Sequence, residues 1–412
     1  VDEAKDYVVW YSKRIYPNGL VPPILNVDGT VNKGYGSDIE FDAQGEFVGI
    51  AADVYRISRD RAFLEAIFQP VLRATRFIEE LCARANAMSE PDSRFHGLLA
   101  PSISHEGYSK PSFSYWDDYF ALSAWRNCEW LAAEIGDKQA GAHAKIRGET
   151  FAANLRRSIH KTAAFMKTDC IPGSADREDV DPTSTSIAFE PCRVEDVLPR
   201  KLIAPTYDRA AARVAAIAAA GFEGNYSPYD IRNVNAFVSL GRLEDARRLL
   251  SLVIGSRRPR GWRGWAEVVW SDLRAPDYIG DMPHTWIGAE FSTAVRRMLL
   301  RENGSVLELF RGAPDGWWER EGIALRRLPT AFGEADVRAR RDRSRATVEL
   351  ALSGPLPERI TVRCPGAKRA RSDGKPCPVV GDEISAPDFS RLEIEISRPS
   401  STHSKRRKRT AG

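Results

Sequence analysis

Apolar residues recur at helical spacing from Val1 to about Arg301. In the segment Phe47–Tyr55 they fall at i, i+3, i+4, i+7 and i+8, which is one face of an α-helix. The segments Leu243–Val253 and Ile287–Met298 show the same spacing. We predict about eleven helices, at 2–15, 41–58, 60–87, 117–135, 138–166, 183–190, 206–220, 228–240, 242–255, 262–271 and 284–302.

The predicted helices alternate between short and long connections. Very short links at Arg59, Gly136–Asp137 and Gly241 require antiparallel hairpins. The long links are rich in glycine and aromatic residues, at 16–40, 91–116, 167–182, 221–229 and 256–283. This alternation predicts an (α/α)6 helical toroid with a site at the end formed by the long loops. Eleven helices, one fewer than twelve, would fit a toroid that lacks its first helix.

After Gly304 the hydrophobic period changes from helical to two. Alternating runs occupy 324–328, 335–339, 347–352, 360–362 and 392–396, and glycine and proline separate them. We therefore predict a mainly α protein in which the toroid, 1–304, is followed by a small antiparallel β-sandwich, 305–398. The basic end, 399–412, is predicted to be a disordered tail. Because the chain begins at Val1 without Met, we expect a fragment or a processed form.

Composition narrows the functional class. Of the 412 residues 43% are hydrophobic and 28% charged, with a net charge of only +4, so neither a nucleic-acid partner nor a membrane partner is expected. No segment approaches the roughly 18 apolar residues that a membrane helix needs. The six cysteines are far apart without a CxxC pair, which argues against a zinc site and against a dense disulfide framework.

Four clusters combine carboxylates with aromatic or glycine residues in the long loops or at helix starts. They are Gly36–Gly45, Ser104–Tyr119, Gly261–Trp270 and Asp281–Glu290. Such a mixture suits a sugar, because aromatic faces stack on a pyranose ring and carboxylates bind its hydroxyls. Hydrolysis needs two further carboxyls beside the scissile bond, one as acid and one as base. The predicted sugar-binding residues are Trp116, Asp117, Asp118, Trp262, Trp265, Asp281, His284, Trp286 and Glu290.

Structural roles compete with these assignments. Asp117 and Asp118 are equally typical of a helix amino terminus, and the tryptophans of the third cluster could be core residues. Glu267 is the strongest catalytic candidate, because it lies among tryptophan and valine, where burying an unpaired carboxylate costs free energy. A carboxylate in such surroundings is often a catalytic acid or base with a raised pKa. No Walker loop, GxSxG or HExxH motif is present. We therefore expect no metal and no cofactor.

The order of motifs resembles the six-hairpin glycosidases, and most closely the bacterial α-L-rhamnosidase-like glycoside hydrolases. The segment Tyr16–Pro23 is similar to the family's PDGxVPxxxP loop, and Val54–Pro70 to its LYxxTGDxxxLxxxWP helix. Further matches are loose but in order, and they lie at 36–38, 181–188, 243–250, 264–267, 283–284 and 309–314. The resemblance implies the toroid with its β domain, and it places the family's base-bearing TTxWE segment on Gly264–Glu267.

The family's general acid lies in a DExRxGW motif, and this chain has none. Either the acid lies upstream of Val1, or another carboxylate of this chain takes its place. The candidates within the chain are Glu106, Asp42 and Glu40, with Glu106 ranked first because a loop can carry it to a substrate. A helix amino terminus lowers the pKa of a carboxylate, which suits the other two less well as acids.

From these residues and this resemblance we expect a glycoside hydrolase that is inverting and exo-acting on a bacterial or plant oligosaccharide. The expected partner is an oligosaccharide or polysaccharide substrate; oligomeric state and a cytoplasmic or periplasmic location stay open. One alternative is a polysaccharide lyase or epimerase that uses Tyr108, His284 and Arg263. The other is a carbohydrate-binding protein without catalytic activity.

Overall fold

The computed structural model describes residues 1–32, 39–104, 108, 110–257, 261–272, 274, 279–319 and 321–397. The chain divides into two compact units, Val1–Ala294 and Val295–Gly412. The first is helical, and the second contains most of the β-strands. Among the described residues, none of the helices combines the length and apolar character that crossing a bilayer requires.

The described residues form ten α-helices. They are α1 (Asp2–Ser12), α2 (Asp42–Ser58), α3 (Arg61–Ala87), α4 (Tyr115–Ile135), α5 (Lys138–Met166), α6 (Pro182–Thr185), α7 (Arg200–Ala218), α8 (Asn233–Ser239), α9 (Leu243–Gly255) and α10 (Thr285–Leu299). Short 3₁₀ turns follow α6 at Ser186–Ala188 and precede α8 at Pro228–Arg232. The mainly α character predicted for this part of the chain is confirmed.

Side-chain caps and glycines fix the ends of the long helices. The Asp60 carboxylate accepts a hydrogen bond from the Phe63 amide and begins α3, and Asp137 begins α5 in the same way. Gly136 ends α4 in the left-handed conformation with φ of 90°. Since α4 and α5 are joined by so few residues, they pack against each other as the predicted hairpin.

Helices α2 and α4 approach closely because α2 has a glycine, Gly45, at the point of contact. A Cβ atom on Gly45 would lie 2.4 Å from the carbonyl oxygen of Phe120 on α4, so only glycine fits there. This contact fixes the position of the neighbouring Glu46, and α4 begins with the cluster Tyr115–Tyr119.

The helix predicted at 262–271 is wrong. That segment is irregular apart from the strand β2 (Val269–Trp270), which pairs with β1 (Asn225–Tyr226). The amide of Val268 also donates to the carbonyl of Ile279 at 3.1 Å. Hydrogen bonds to other segments therefore replace those within a helix. The helical spacing of the tryptophans in this segment does not reflect a helix.

The second unit contains two sheets. Their strands are β3 (Leu300–Asn303), β4 (Val306–Leu309), β5 (Ile323–Thr330), β6 (Gly333–Arg341), β7 (Arg345–Leu352), β8 (Arg359–Arg363), β9 (Ala367–Ser372), β10 (Lys375–Cys377), β11 (Val379–Val380), β12 (Glu383–Ala386) and β13 (Arg391–Ile396). One sheet has the order β10-β9-β13-β7-β6-β5, and the other has β11-β12-β8-β4-β3. All pairs are antiparallel except β4 with β8. Buried residues of both sheets, such as Val337 and Ile360, belong to one hydrophobic cluster.

Candidate functional site

Two cavities lie in the helical unit, and the same two tryptophans line both. The larger, about 880 Å³, is lined by α1, α2, α4 and the start of α10. The smaller, about 600 Å³, is lined by Asp181–Ser184, by the segment Ser227–Arg232 and by Glu267. Trp116 and Trp286 belong to both linings, so the two cavities adjoin at these indoles.

In the smaller cavity Glu267 is positioned by its own backbone. Its amide donates to the carbonyl of Asp281 at 3.4 Å, and its carbonyl accepts a hydrogen bond from the Ser227 hydroxyl at 2.8 Å. Gly280 lies directly behind its carboxylate: a Cβ atom there would come within 2.0 Å of Oε2, and the φ of Gly280 is +66°. The carboxylate position therefore depends on a glycine at 280.

A hydrogen-bonded chain lies beside Glu267. The Tyr229 hydroxyl pairs with Nε2 of His284, and Nδ1 of His284 pairs with Asp281. One ligand-type atom each of Glu267, Asp281 and His284 lie within 4.8 Å of one another, so these three residues could hold a cation. Both imidazole nitrogens of His284 are already hydrogen-bonded, so a metal would have to replace one of these bonds.

Arg232 forms the wall of the smaller cavity next to the shared tryptophans. Its Cζ lies 4.8 Å from the ring centroids of both Trp116 and Trp286 and 4.3 Å from that of Tyr229. Its Nε donates to Glu290 at 2.8 Å, and Glu290 also accepts from the Trp286 indole at 3.3 Å. Cation–π contacts and an ion pair thus hold one guanidinium in one orientation.

In the larger cavity the notable group is Glu46 on α2. Water reaches its side chain through the cavity, yet protein atoms surround it closely. This burial raises the pKa of Glu46 well above its ordinary value, the negative charge of Asp42 raises it further, and Arg232 opposes the rise. Among the described residues none forms a hydrogen bond or ion pair with this carboxyl.

Three further acids, Asp42, Asp117 and Asp118, are buried at the starts of α2 and α4. Asp42 accepts a hydrogen bond from the Trp116 indole at 2.8 Å, and Asp117 accepts one from the Ser102 hydroxyl. Burial raises the pKa of both, and in Asp117 the charge of Asp42 adds to the rise. Asp118 accepts from the Leu99 amide at 3.0 Å, and burial raises its pKa to about 8.

Asp118 makes the stability of the protein depend on pH. In the unfolded chain its carboxyl ionises above about pH 4, whereas in the folded chain it stays protonated up to about pH 8. The unfolded state binds fewer protons in this interval, so the free energy of unfolding falls as pH rises, by up to about 1.4 kcal/mol per pH unit. We expect Asp118→Asn to remove this contribution, because the amide oxygen of Asn can still accept from Leu99.

Urea unfolding of both proteins at several pH values between 5 and 8, followed by the helical circular dichroism signal, measures this effect. The free energy of unfolding of the variant relative to the original chain should rise steadily with pH. Parallel curves would show that Asp118 is ionised in the folded state.

The predicted site residues separate into two groups. Glu267, Trp116, Trp286 and Glu290 line a cavity, and His284 and Asp281 are linked to Tyr229 in the smaller one. The other predicted residues that the structure describes line neither cavity. Of these, Asp117 and Asp118 are core residues in the first turn of α4, Trp262 is 52% exposed, and Glu40 and Asp42 lie at the start of α2.

Trp265 illustrates why some assignments fail. It is buried, its indole donates to the carbonyl of Val253 at 2.8 Å, and its ring packs on Phe291 at 4.7 Å. It therefore has no face for a sugar, and we place it in the core. Glu106 lies outside the described residues. Of the residues named for a lyase, Tyr108 donates to Asp179, and Arg263 is exposed.

The sequence did not single out Glu46, Tyr229 or Arg232. A signal for Glu46 was present, because it follows Asp42 by four residues and therefore lies on the same face of α2. Tyr229 and Arg232 lie in a 3₁₀ turn, Pro228–Arg232, whose sequence carries no recognisable motif.

No family model matches this chain, and no curated protein matches it. The α-L-rhamnosidase from Dictyoglumus thermophilum is similar in structure, with a TM-score of 0.62 and 11% sequence identity over 96% of this chain. The native α-L-rhamnosidase from Aspergillus terreus is similar with a TM-score of 0.51 and 12% identity, again over 96%. This chain spans 43% of the length of each. The predicted resemblance to rhamnosidases is thus confirmed at the level of the fold.

Proposed function

We propose that this chain is a glycoside hydrolase that acts on an oligosaccharide or polysaccharide. The observation that carries the proposal is the smaller cavity, which Glu267 lines together with Trp116 and Trp286. A carboxylate beside tryptophan indoles is what a glycosidase uses to activate water next to a stacked sugar ring. The rhamnosidase-like fold supports the same reaction class.

In this proposal the helical unit is a six-hairpin toroid, the second unit is a β-sandwich, and hydrolysis is inverting. Glu267 is the general base. Neither Asp42 nor Glu40 lines either cavity, so we assign the general acid to Glu46, whose raised pKa favours the protonated form that an acid needs. A substrate lying along Trp286, the more exposed of the two shared indoles, would reach both carboxyls, which an inverting enzyme holds about 6.5–9.5 Å apart.

A panel of aryl glycosides and oligosaccharides, assayed for released aryl alcohol and for new reducing ends, tests the proposal. We expect release of a monosaccharide from at least one member, since exo action removes one terminal sugar at a time. The anomer of the first product, followed by NMR, should be inverted. Binding of a sugar without any bond cleavage would instead favour the non-catalytic alternative.

A polysaccharide lyase is the second candidate, because the chain Tyr229–His284–Asp281 joins a phenol, an imidazole and a carboxylate beside a fixed arginine. Such a phenol–imidazole pair can remove the proton next to a uronate carboxylate. An unsaturated product absorbing in the ultraviolet, with no uptake of water, would identify this reaction.

Gly280 provides a test of the Glu267 geometry that leaves every polar group in place. We expect Gly280→Ala to lower kcat/KM about tenfold, because the added methyl would push the carboxylate from its position and small misplacements of catalytic groups are costly. Gly304→Ala is the matched control, since Gly304 also has a positive φ, +60°, with open space at its Cβ. Equal activity of both variants would mean that the position of Glu267 does not matter.

A further inference from the structure

The strongest observation outside the proposed chemistry is an unsatisfied cationic donor. Arg232 is 5% exposed, and its Nη2 is buried with no hydrogen-bond partner among the described residues. A buried donor of a charged group is expensive to leave unpaired. Nη2 itself has almost no exposed surface, but Arg232 lines the smaller cavity, so a molecule bound there meets the rest of this guanidinium.

The orientation of the guanidinium is already fixed before any ligand binds. The rings of Trp116, Tyr229 and Trp286 surround it, and its Nε donates a hydrogen bond to Glu290. Little side-chain entropy is then lost when a ligand binds, and the remaining donors can only point where the cage leaves them. A guanidinium held in one orientation in this way is suited to binding a ligand.

Of the three acids that line the smaller cavity, Glu267 is the proposed general base, and the other two do not compete for this donor. Asp181 accepts from the amides of Thr183 and Ser184 at 2.9 and 3.1 Å. Asp230 accepts from the Thr183 hydroxyl at 2.8 Å and from Nε of Arg213 at 3.3 Å. Their negative charges are therefore engaged within the protein.

A second cation faces the same space. Arg209 lines the smaller cavity, is exposed, and forms no ion pair with any described residue. Three acids and three arginines line the cavity, but Asp181 and Asp230 are engaged within the protein, so an anionic group beside Arg232 and Arg209 suits it better than a neutral hydroxyl.

We propose that the smaller cavity binds the carboxylate of a uronic acid, held by Arg232 with Arg209 at the cavity wall. This inference rests on the proposed function only in taking the ligand to be a carbohydrate. It makes acidic oligosaccharides the substrate class and Arg232 the residue that determines specificity. Sulfated sugars share the anionic chemistry and are included in the test.

The test is calorimetric titration of the full chain with glucuronate-, galacturonate- and mannuronate-containing disaccharides, each paired with its carboxyl-reduced counterpart. A sulfated disaccharide and its unsulfated counterpart form a further pair. We expect at least one uronate to bind about 10- to 100-fold more tightly than its reduced partner, the usual effect of a hydrogen bond to a charged group. Equal affinity within every pair, or a preference only for the sulfated sugar, would overturn the proposal.

The variant Arg232→Met should abolish the preference within the pair, because the cation that distinguishes the two sugars is gone. Arg84→Met is the control, since Arg84 pairs with Glu80 on the surface of α3 and lines neither cavity. The comparison of paired sugars on the original chain does not depend on whether the Arg232 variant folds. Uronate preference without hydrolysis would refute the proposed function and keep this inference, whereas hydrolysis without uronate preference would do the reverse.

Discussion

The Glu267→Gln variant is expected to hydrolyse its substrate on the order of 10²–10⁴-fold more slowly than the original chain, the usual contribution of a general base. Gln occupies nearly the same volume and cannot accept a proton from water. The backbone bonds that position residue 267, from its amide to Asp281 and from Ser227 to its carbonyl, do not involve the side chain. Folding should therefore be unchanged, and the loss should appear mainly in kcat.

Glu65→Gln is the matched control, because Glu65 is exposed on α3, pairs with Arg61 one turn earlier and lines neither cavity. Steady-state rates on the best substrate of the panel, together with thermal unfolding of all three proteins, decide the question. If Glu267→Gln kept most of its activity, the base would lie elsewhere. Glu290 would be the next candidate, although its carboxylate is engaged by Arg232 and Trp286.

Much of the helical unit could be predicted from local signals. The bounds of α5, Lys138–Met166, agree with the prediction because Asp137 caps its start and a strong apolar stripe runs through it. Local signals failed where long-range hydrogen bonds take over. The segment 262–271 became irregular because its backbone pairs with Asn225–Tyr226 and Ile279, which no window of sequence contains.

The second unit shows the same limit. Strand β7 was predicted because apolar and polar residues alternate along it, whereas β9, Ala367–Ser372, is short and rich in basic residues. Its pairing with β13, and not its own composition, makes it a strand. Likewise, predicted helix 284–302 ends at Leu299, where β3 begins and pairs with β4.

The sequence predicted those site residues whose side-chain chemistry and position in a long loop or at a helix start pointed to a sugar site. Glu267, Trp116 and Trp286 were selected as polar or aromatic groups in the right loops, and all three line the smaller cavity. Trp265 was selected on the same grounds, as an aromatic residue in a long loop. Only the folded structure shows that its indole donates to the carbonyl of Val253 in the core. Arg232 could not be chosen, because two of the three rings around it, Trp116 and Trp286, are distant in sequence.

The Glu46→Gln variant is expected to lose about 10²–10³-fold in rate on a natural oligosaccharide, because the leaving sugar then receives no proton. The loss should be much smaller on an aryl glycoside with a strongly acidic leaving group, which departs without protonation. The pH profile gives a second signature. Glu46 acts only while protonated, so activity is present below its raised pKa and is lost as pH rises through it; the variant should lack this basic limb.

Asp42→Asn provides the matched test of how that pKa is set. The amide oxygen of Asn can still accept the Trp116 indole hydrogen, but the negative charge that helps to raise the pKa of Glu46 is gone. The basic limb should therefore move to lower pH while kcat at acidic pH stays close to that of the original chain. If Glu46→Gln slowed activated aryl glycosides as much as natural substrates, or if the limb stayed in place in Asp42→Asn, Glu46 would not be the proton donor. The acid would then have to be sought in Glu40 or in Glu106.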